Sequence, residues 1–147
     1  MGNTVALPTR VAPLVDAQAE AAETRTAWVS NVMDLGNEVK SWASARGWAV
    51  AQADEELSES VVGGAYTVPR LKIDAPEGRL ILEPVARGVV GAEGRVDLYA
   101  WPSHYRVMLL RRSGGDWVIR TESGLDWPQP WNRETFLTVA QGLLNAA

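Results

Sequence analysis

Two carboxylates, Glu83 and Asp97, lie on segments whose patterns are typical of neighbouring β-strands. Facing carboxylates can bind a divalent cation or act as a general acid and base. The only histidine, His104, follows Ser103 in a turn that also contains a proline. Adjacency in sequence does not make a nucleophile and a base, because such pairs are recognised by their geometry and by a third, orienting group. We therefore expect His104 to be an ordinary turn residue, and Glu83 and Asp97 to be the candidates for catalysis.

The composition excludes several other chemistries. The chain has 147 residues, no cysteine and one histidine. Disulfide frameworks, thiolate zinc sites, iron–sulfur clusters, cysteine nucleophiles and multi-histidine metal sites are thereby excluded. Its 46% hydrophobic and 22% charged content is typical of a single folded domain, here residues 1–147. The net charge of −4 argues against a general binder of nucleic acid or anionic membranes. No metal and no cofactor are expected.

The sequence also bears on location and origin. The N-terminus lacks a basic region followed by a long apolar core, and no stretch approaches the roughly 18 apolar residues of a membrane span. We therefore expect a cytoplasmic protein without a membrane segment. Arginine greatly outnumbers lysine, which occurs only at Lys40 and Lys72. This bias is typical of GC-rich genomes and suggests a bacterial source.

A long helix is predicted over residues 12–46, after an N-terminal segment, residues 1–11, that is expected to be flexible. Pro13 suits the first helical turn, and Gly47 suits the position just after a helix. Apolar residues at helical spacing form one stripe: Leu14, Ala21, Trp28, Val32, Leu35, Val39 and Trp42. Such a helix is much longer than a typical strand. Either it breaks at Leu35, Gly36 and Asn37, or its alanine-rich N-terminal half projects and packs on another chain.

After Gly47 the pattern changes to short alternating segments separated by turn signals. Strands are predicted at 48–53, 66–73, 79–85, 95–101, 105–112 and 117–121. The acidic stretch 54–60 is interpreted as a solvated loop, or alternatively as a contact for a basic partner. The connections are too short for crossover helices, so we expect an antiparallel meander of five to six strands. Asn132 should cap a C-terminal helix packed on one face, which completes an α+β fold.

Tryptophans are frequent in this chain, which has seven. Trp28 and Trp42 fall on the helical stripe, and Trp48 and Trp117 fit a core, so we interpret these four as packing residues. Trp127 and Trp131 flank two prolines in an extended segment. They either hold the last helix against the sheet or form a ridge for a partner.

Alternation divides the strands into two faces. The predicted core face is apolar throughout: Leu80, Leu82, Val96, Leu98, Ala100, Val107, Leu109 and Ile119. The other face mixes charged with large apolar side chains: Arg79, Ile81, Glu83, Arg95, Asp97, Tyr99, Trp101, Arg106, Met108, Leu110, Val118 and Arg120. Arginine, methionine and aromatic residues are enriched in protein–protein interfaces, whereas lysine is depleted.

This mixed face supplies the candidate binding residues, which are Arg79, Glu83, Asp97, Tyr99, Trp101, Arg106, Met108 and Arg120. An alternative interpretation is structural: the carboxylates pair with arginines across strands, and the aromatics shield the sheet. If the face binds a partner, alanine at Trp101 and Arg106 should abolish binding and leave thermal stability nearly unchanged.

The order of a helix, a strand and carboxylate-bearing strands resembles the metal-dependent PD-(D/E)xK nuclease core. The resemblance implies Glu38, Glu83 and Asp97 as the positions of the site. The family's acidic-x-Lys strand is absent, because Glu83-Pro84-Val85 and Asp97-Leu98-Tyr99 stand at those places. The resemblance therefore implies, as an alternative function, a degenerate phosphodiesterase or nuclease-like domain.

The sequence favours a non-catalytic function. We expect a bacterial accessory, adaptor or immunity-type protein that binds another protein, either a different chain or a second copy of itself. The contacts would come from the mixed face and the long helix. A binder of a small ligand in the cup of a curved sheet is a third interpretation.

Overall fold

A computed structural model describes residues 3–121 and 128–146, with side chains from Val15 onward within these ranges. Helix α1 (Asn3–Ala45) leads into β1 (Ala49–Glu59), a short 3-10 helix (Ser60–Val62), β2 (Gly64–Ala75), β3 (Gly78–Ala86), β4 (Arg95–Trp101), β5 (Arg106–Arg111), β6 (Trp117–Thr121), β7 (Gln129–Pro130) and α2 (Arg133–Ala146). The strands form one seven-stranded antiparallel sheet in sequence order. The predicted α+β meander between two helices is confirmed, with seven strands instead of five to six.

Helix α1 is continuous through Gly36, so of the two alternatives left open by the sequence the break there is wrong. A mid-helix glycine costs only about 1 kcal/mol relative to alanine. Leu35 and Val39 on either side of it are fully buried, and each contributes roughly 1.5–3 kcal/mol by burial. A Cβ at position 36 would lie 3.9 Å from Leu71 Cδ1, so the glycine faces the sheet closely. Packing therefore holds the helix through this residue.

Helix α1 is longer than the sheet that it covers. At about 1.5 Å per residue its 43 residues extend roughly 65 Å, whereas the 12 residues of β2 extend about 40 Å. Arg25 Nη1 donates to the carbonyl oxygen of Val62 at 3.2 Å, and residues 15–20, which precede this contact, are all exposed. The helix begins at Asn3, earlier than the predicted start at residue 12. The flexibility expected of residues 1–11 stays a prediction.

The acidic stretch 54–60 is not a loop, which corrects the sequence interpretation. Strand β1 runs to Glu59 and pairs with β2 from Ala49 opposite Asp74 to Glu59 opposite Gly64. The Glu59 carboxylate accepts hydrogen bonds from the backbone amides of Arg87 and Gly88, each at 2.9 Å, and one from the Tyr66 hydroxyl. Burial alone would raise the pKa of Glu59, but these hydrogen bonds outweigh it and lower that pKa. The tip of the β1–β2 hairpin is thus attached to the β3–β4 connection.

Both helices pack on the predicted core face of the sheet. All eight residues assigned to that face are buried, and they join one cluster with Trp28 from α1 and Phe136 from α2. Trp28 packs directly on Gly94, where a Cβ would come within 2.1 Å of the indole ring. Trp28 Nε1 also donates to the Tyr66 hydroxyl at 3.2 Å. The assignment of the two faces by alternation is confirmed for the core.

Helix α2 begins as predicted. Asn132 Oδ1 accepts a hydrogen bond from the Thr135 amide at 2.9 Å, which is the geometry of an N-cap. The ring centroid of Trp131 lies 5.5 Å from that of Trp42 and 5.6 Å from that of Phe136. Trp131 therefore holds α2 against α1 and is not a free ridge. Trp127 lies outside the described residues.

Candidate functional site

The face of the sheet opposite the two helices, here called the open face, is formed by alternate residues of β3 to β6. The strand register brings all eight candidate binding residues onto it. Neighbouring pairs across the strands are Arg79 and Trp101, Glu83 and Asp97, Tyr99 and Arg106, Asp97 and Met108, and Met108 and Arg120. The candidates predicted from alternation thus share one face, on which Asp97 and Tyr99 are buried and Trp101 is exposed.

Asp97 is the centre of this surface and is only 1% exposed. Arg95 Nε donates to its Oδ1 at 2.7 Å, and Arg95 Nη2 donates to its Oδ2 at 2.8 Å. Arg106 Nη1 donates to the same Oδ2 at 2.9 Å. Both carboxylate oxygens are therefore engaged by cationic donors, as a buried charge requires. With two guanidinium groups beside it, Asp97 is an anchor for arginines.

Glu83 belongs to a second cluster on the same face. The Tyr99 hydroxyl donates to Glu83 Oε2 at 2.5 Å, and Arg70 Nε lies 3.5 Å from that oxygen. Arg70 Nη2 also donates to the Tyr99 oxygen at 3.5 Å. Burial, reinforced by the hydrogen bond to Glu83, raises the pKa of Tyr99. Tyr99 therefore remains a protonated donor, and Glu83 remains its acceptor.

Two members of this cluster were missed in the sequence. Arg70 lies in a predicted strand, and alternation from Leu71 would have placed it on the open face. Glu55 was assigned to a loop, so no pattern indicated its position. Burial and the nearby charge of Glu83 raise the pKa of Glu55, and Arg70 partly opposes them. Glu55 Oε2 is buried without a hydrogen-bond partner among the described residues.

The rim of the open face is aromatic. His104 has a φ of 67° in the turn between β4 and β5, and its ring stacks on Tyr99 with a centroid separation of 5.4 Å and an interplanar angle of 9°. It also contacts Trp101 edge-on at 5.0 Å. Trp101 remains 48% exposed, whereas Tyr105, 56% exposed, lies opposite Ala100 of the core face. The turn thus holds one exposed aromatic ring, that of Trp101, at the rim of the open face.

The three carboxylates of the nuclease resemblance are not brought together. Glu38 is on α1, which covers the core face, whereas Glu83 and Asp97 lie on the open face. Burial and the charge of Asp34 raise the pKa of Glu38, while Arg111 partly lowers it. In the parts of the chain that the structure describes, no group of three or more histidine, aspartate or glutamate side chains could hold a metal ion.

A groove of about 580 Å³ lies between α1 and the start of β2. Val29, Met33 and Tyr66 contribute apolar surface to it, and Arg25 and Asp34 contribute charge. Because α1 covers the core face, this groove is separate from the open face. The ligand cup considered from the sequence stays a prediction.

The comparisons with known proteins add no relative. No family model matches this chain, and neither the curated proteins nor the solved structures contain a match. Within residues 3–121 and 128–146, no helix has both the length and the apolar character needed to cross a membrane.

Proposed function

We propose that this chain is a non-catalytic bacterial accessory, adaptor or immunity-type protein that acts in the cytoplasm by binding another protein. The single observation that carries the proposal is the state of the open face. Its central carboxylate, Asp97, is bound by Arg95 and Arg106, while Trp101 at its rim remains 48% exposed. The carboxylate at its centre is engaged by arginines, and an aromatic side chain of a type frequent in interfaces faces solvent.

The chemistry of the open face favours an acidic partner surface. Along β3 to β6 this face has four arginines (Arg79, Arg95, Arg106, Arg120) and two carboxylates (Glu83, Asp97). This local excess of positive charge occurs in a chain whose net charge is −4. Complementary charge steers association and fixes the register of a complex. The partner should therefore present carboxylates around an apolar patch that receives Trp101.

The N-terminal half of α1 offers a second contact. Residues 15–20 are exposed on a helix that extends beyond its contact with Val62, and Val15 is among the exposed apolar residues. A partner seated on the open face and this helix would be held from two sides. The open face remains the principal site in this proposal.

The experiment is capture of partners from a lysate of the source cells by the tagged full-length chain, with mass spectrometry of the retained proteins. The test variant is Trp101→Ala, since Arg106 holds Asp97 and its loss would also cost stability. The control is Val90→Ala, which removes a fully exposed apolar side chain outside the open face. We expect one stoichiometric acidic protein with the wild type and the control, and its loss with the test variant. An identical set of proteins from all three would contradict the proposal.

A further inference from the structure

The two edges of the sheet are built differently. Strand β7 has two residues, one of them Pro130, and such a short, proline-containing edge offers little for another strand to pair with. Strand β1 has 11 residues, contains no proline and pairs with β2 without a register shift. Every second residue of β1 therefore turns its N–H and C=O groups away from β2. No described strand pairs with that side.

The side chains of β1 select what can pair there. Asp54 and Glu56 are exposed on one face of the strand, in a row with Gln52 and Ser58. Leu57 lies on the other face, half-buried between Glu55 and Glu59, and Glu59 is held within the fold by the amides of Arg87 and Gly88. A second copy paired antiparallel through this edge would bring these acidic rows together, and facing like charges destabilise a pair of strands. The charges thus oppose self-association and attract a strand of the opposite charge.

We propose that the outer edge of β1 binds an extended basic segment of another protein as an added antiparallel strand. Main-chain hydrogen bonds supply affinity in this mode of recognition, and alternate side chains supply specificity. The segment has lysine or arginine at every second residue, facing Asp54 and Glu56, and apolar residues between them, facing Leu57. This surface is separate from the open face, and the inference does not depend on the function proposed above.

The probe is a labelled peptide of about nine residues that alternates valine with lysine, the length of one strand at this edge. Its binding to the full chain is followed by fluorescence anisotropy, together with hydrogen exchange of the β1 amides. A peptide that alternates valine with glutamate serves as the charge control. A valine–lysine peptide methylated on its backbone nitrogens serves as the second control, because it keeps the side chains and lacks the backbone N–H donors that strand pairing needs. We expect binding of the unmethylated basic peptide alone, with slowed exchange in β1.

The protein variant removes the charge of the row with Asp54→Asn and Glu56→Gln. Its control, Asp16→Asn with Glu20→Gln, removes the same charge from exposed positions of α1. Exposed charge pairs contribute little individually, so the β1 variant should bind the basic peptide about threefold to tenfold more weakly. The α1 control should bind as the wild type does. Trp101→Ala should also leave peptide binding unchanged, which separates this test from that of the open face.

Three results would overturn the inference. One is no binding of the basic peptide to the wild-type chain. Another is equal binding of its methylated form, which would mean a contact through charge alone. The third is that the α1 control weakens peptide binding as much as the β1 variant does, which would mean that the net charge and not the edge attracts the peptide.

Discussion

Asp97 and Arg106 lie on adjacent strands of the open face and are joined by a hydrogen bond of 2.9 Å from Nη1 to Oδ2. Arg95 engages the same carboxylate from two positions further back on the strand of Asp97. Asp97→Ala should therefore leave two guanidinium groups beside each other without their anion. Because both arginines are partly exposed and can reach water, we expect a loss of about 2 kcal/mol in the free energy of unfolding, measured with urea.

The matched control for Asp97 is Asp116→Ala. Asp116 also pairs with an arginine, Arg112, but both side chains are more than half exposed. Exposed pairs contribute little to stability. The urea midpoint of this control should stay close to that of the wild type, and an equal loss in both variants would contradict the account of the open face.

Gly94 should be the glycine least tolerant of substitution. A Cβ there would lie 2.1 Å from the Trp28 ring, and its φ of +140° is one that other residues rarely adopt. Gly94→Ala should cost about 3 kcal/mol or more. Gly142→Ala on α2 places a Cβ with nothing within 4 Å of it. We therefore expect this variant to gain up to about 1 kcal/mol in the free energy of unfolding. Thermal unfolding of both variants checks this, and a mild effect at position 94 would contradict the packing of α1.

Glu55 and Glu59, on the same face of β1, should affect stability in opposite directions. The pKa of Glu59 is lowered in the fold, so its carboxylate stabilises the protein above the unfolded pKa, and this contribution is lost as the pH falls through the folded pKa. The pKa of Glu55 is raised by burial and by Glu83, so its ionised form destabilises the fold once the pH rises through the folded pKa.

At pH 7 we therefore expect Glu55→Gln to have a higher melting temperature than the wild type and Glu59→Gln to have a lower one. The difference for Glu55→Gln should vanish as the pH falls to the unfolded pKa of about 4.3. The difference for Glu59→Gln should persist there and shrink only as the pH falls through the lowered folded pKa of Glu59. Melting temperatures from pH 3 to pH 7 measure the effect. Shifts of the same sign in the two variants would contradict the assigned environments.

Divalent cations should not stabilise the protein. Asp97 is occupied by arginines, Glu83 accepts from Tyr99, and Glu38 is on the other side of the sheet. Magnesium or manganese at millimolar concentration should leave the melting temperature unchanged. A rise that disappears in Glu83→Gln would instead support the metal-dependent phosphodiesterase.

Alternation predicted the open face well because β3 to β6 keep a regular register over short strands. The same reasoning ended β1 at residue 53 and missed its second half, since acidic residues have low strand propensity and it is the amides of Arg87 and Gly88, remote in sequence, that hold Glu59. It also left open a break at Gly36, where burial of the neighbouring side chains outweighs the propensity of glycine. Alternation within each strand predicted which residues lie on each face of the sheet. The length of β1 depends on contacts between segments that are distant in sequence, which alternation does not show.

The role of Arg106 shows a similar limit. The sequence placed it on the binding surface beside Trp101, and the structure agrees with that position. Its hydrogen bond to buried Asp97 depends on the register of β4 and β5, which alternation within a single strand does not give. The prediction that alanine at Arg106 leaves stability nearly unchanged is therefore replaced by an expected loss, and Trp101→Ala alone becomes the cleaner variant for testing binding.

The most direct test of the central claim is calorimetric titration of the purified partner, once captured, into the wild type, Trp101→Ala and Val90→Ala. We expect one-to-one binding, weakened about tenfold or more by Trp101→Ala, because half-exposed tryptophans at interfaces are frequent hot spots. Val90→Ala should bind normally, and all three should melt within a few degrees of one another. Unchanged affinity in Trp101→Ala, with the variant folded, would contradict the claim that the open face is the binding surface.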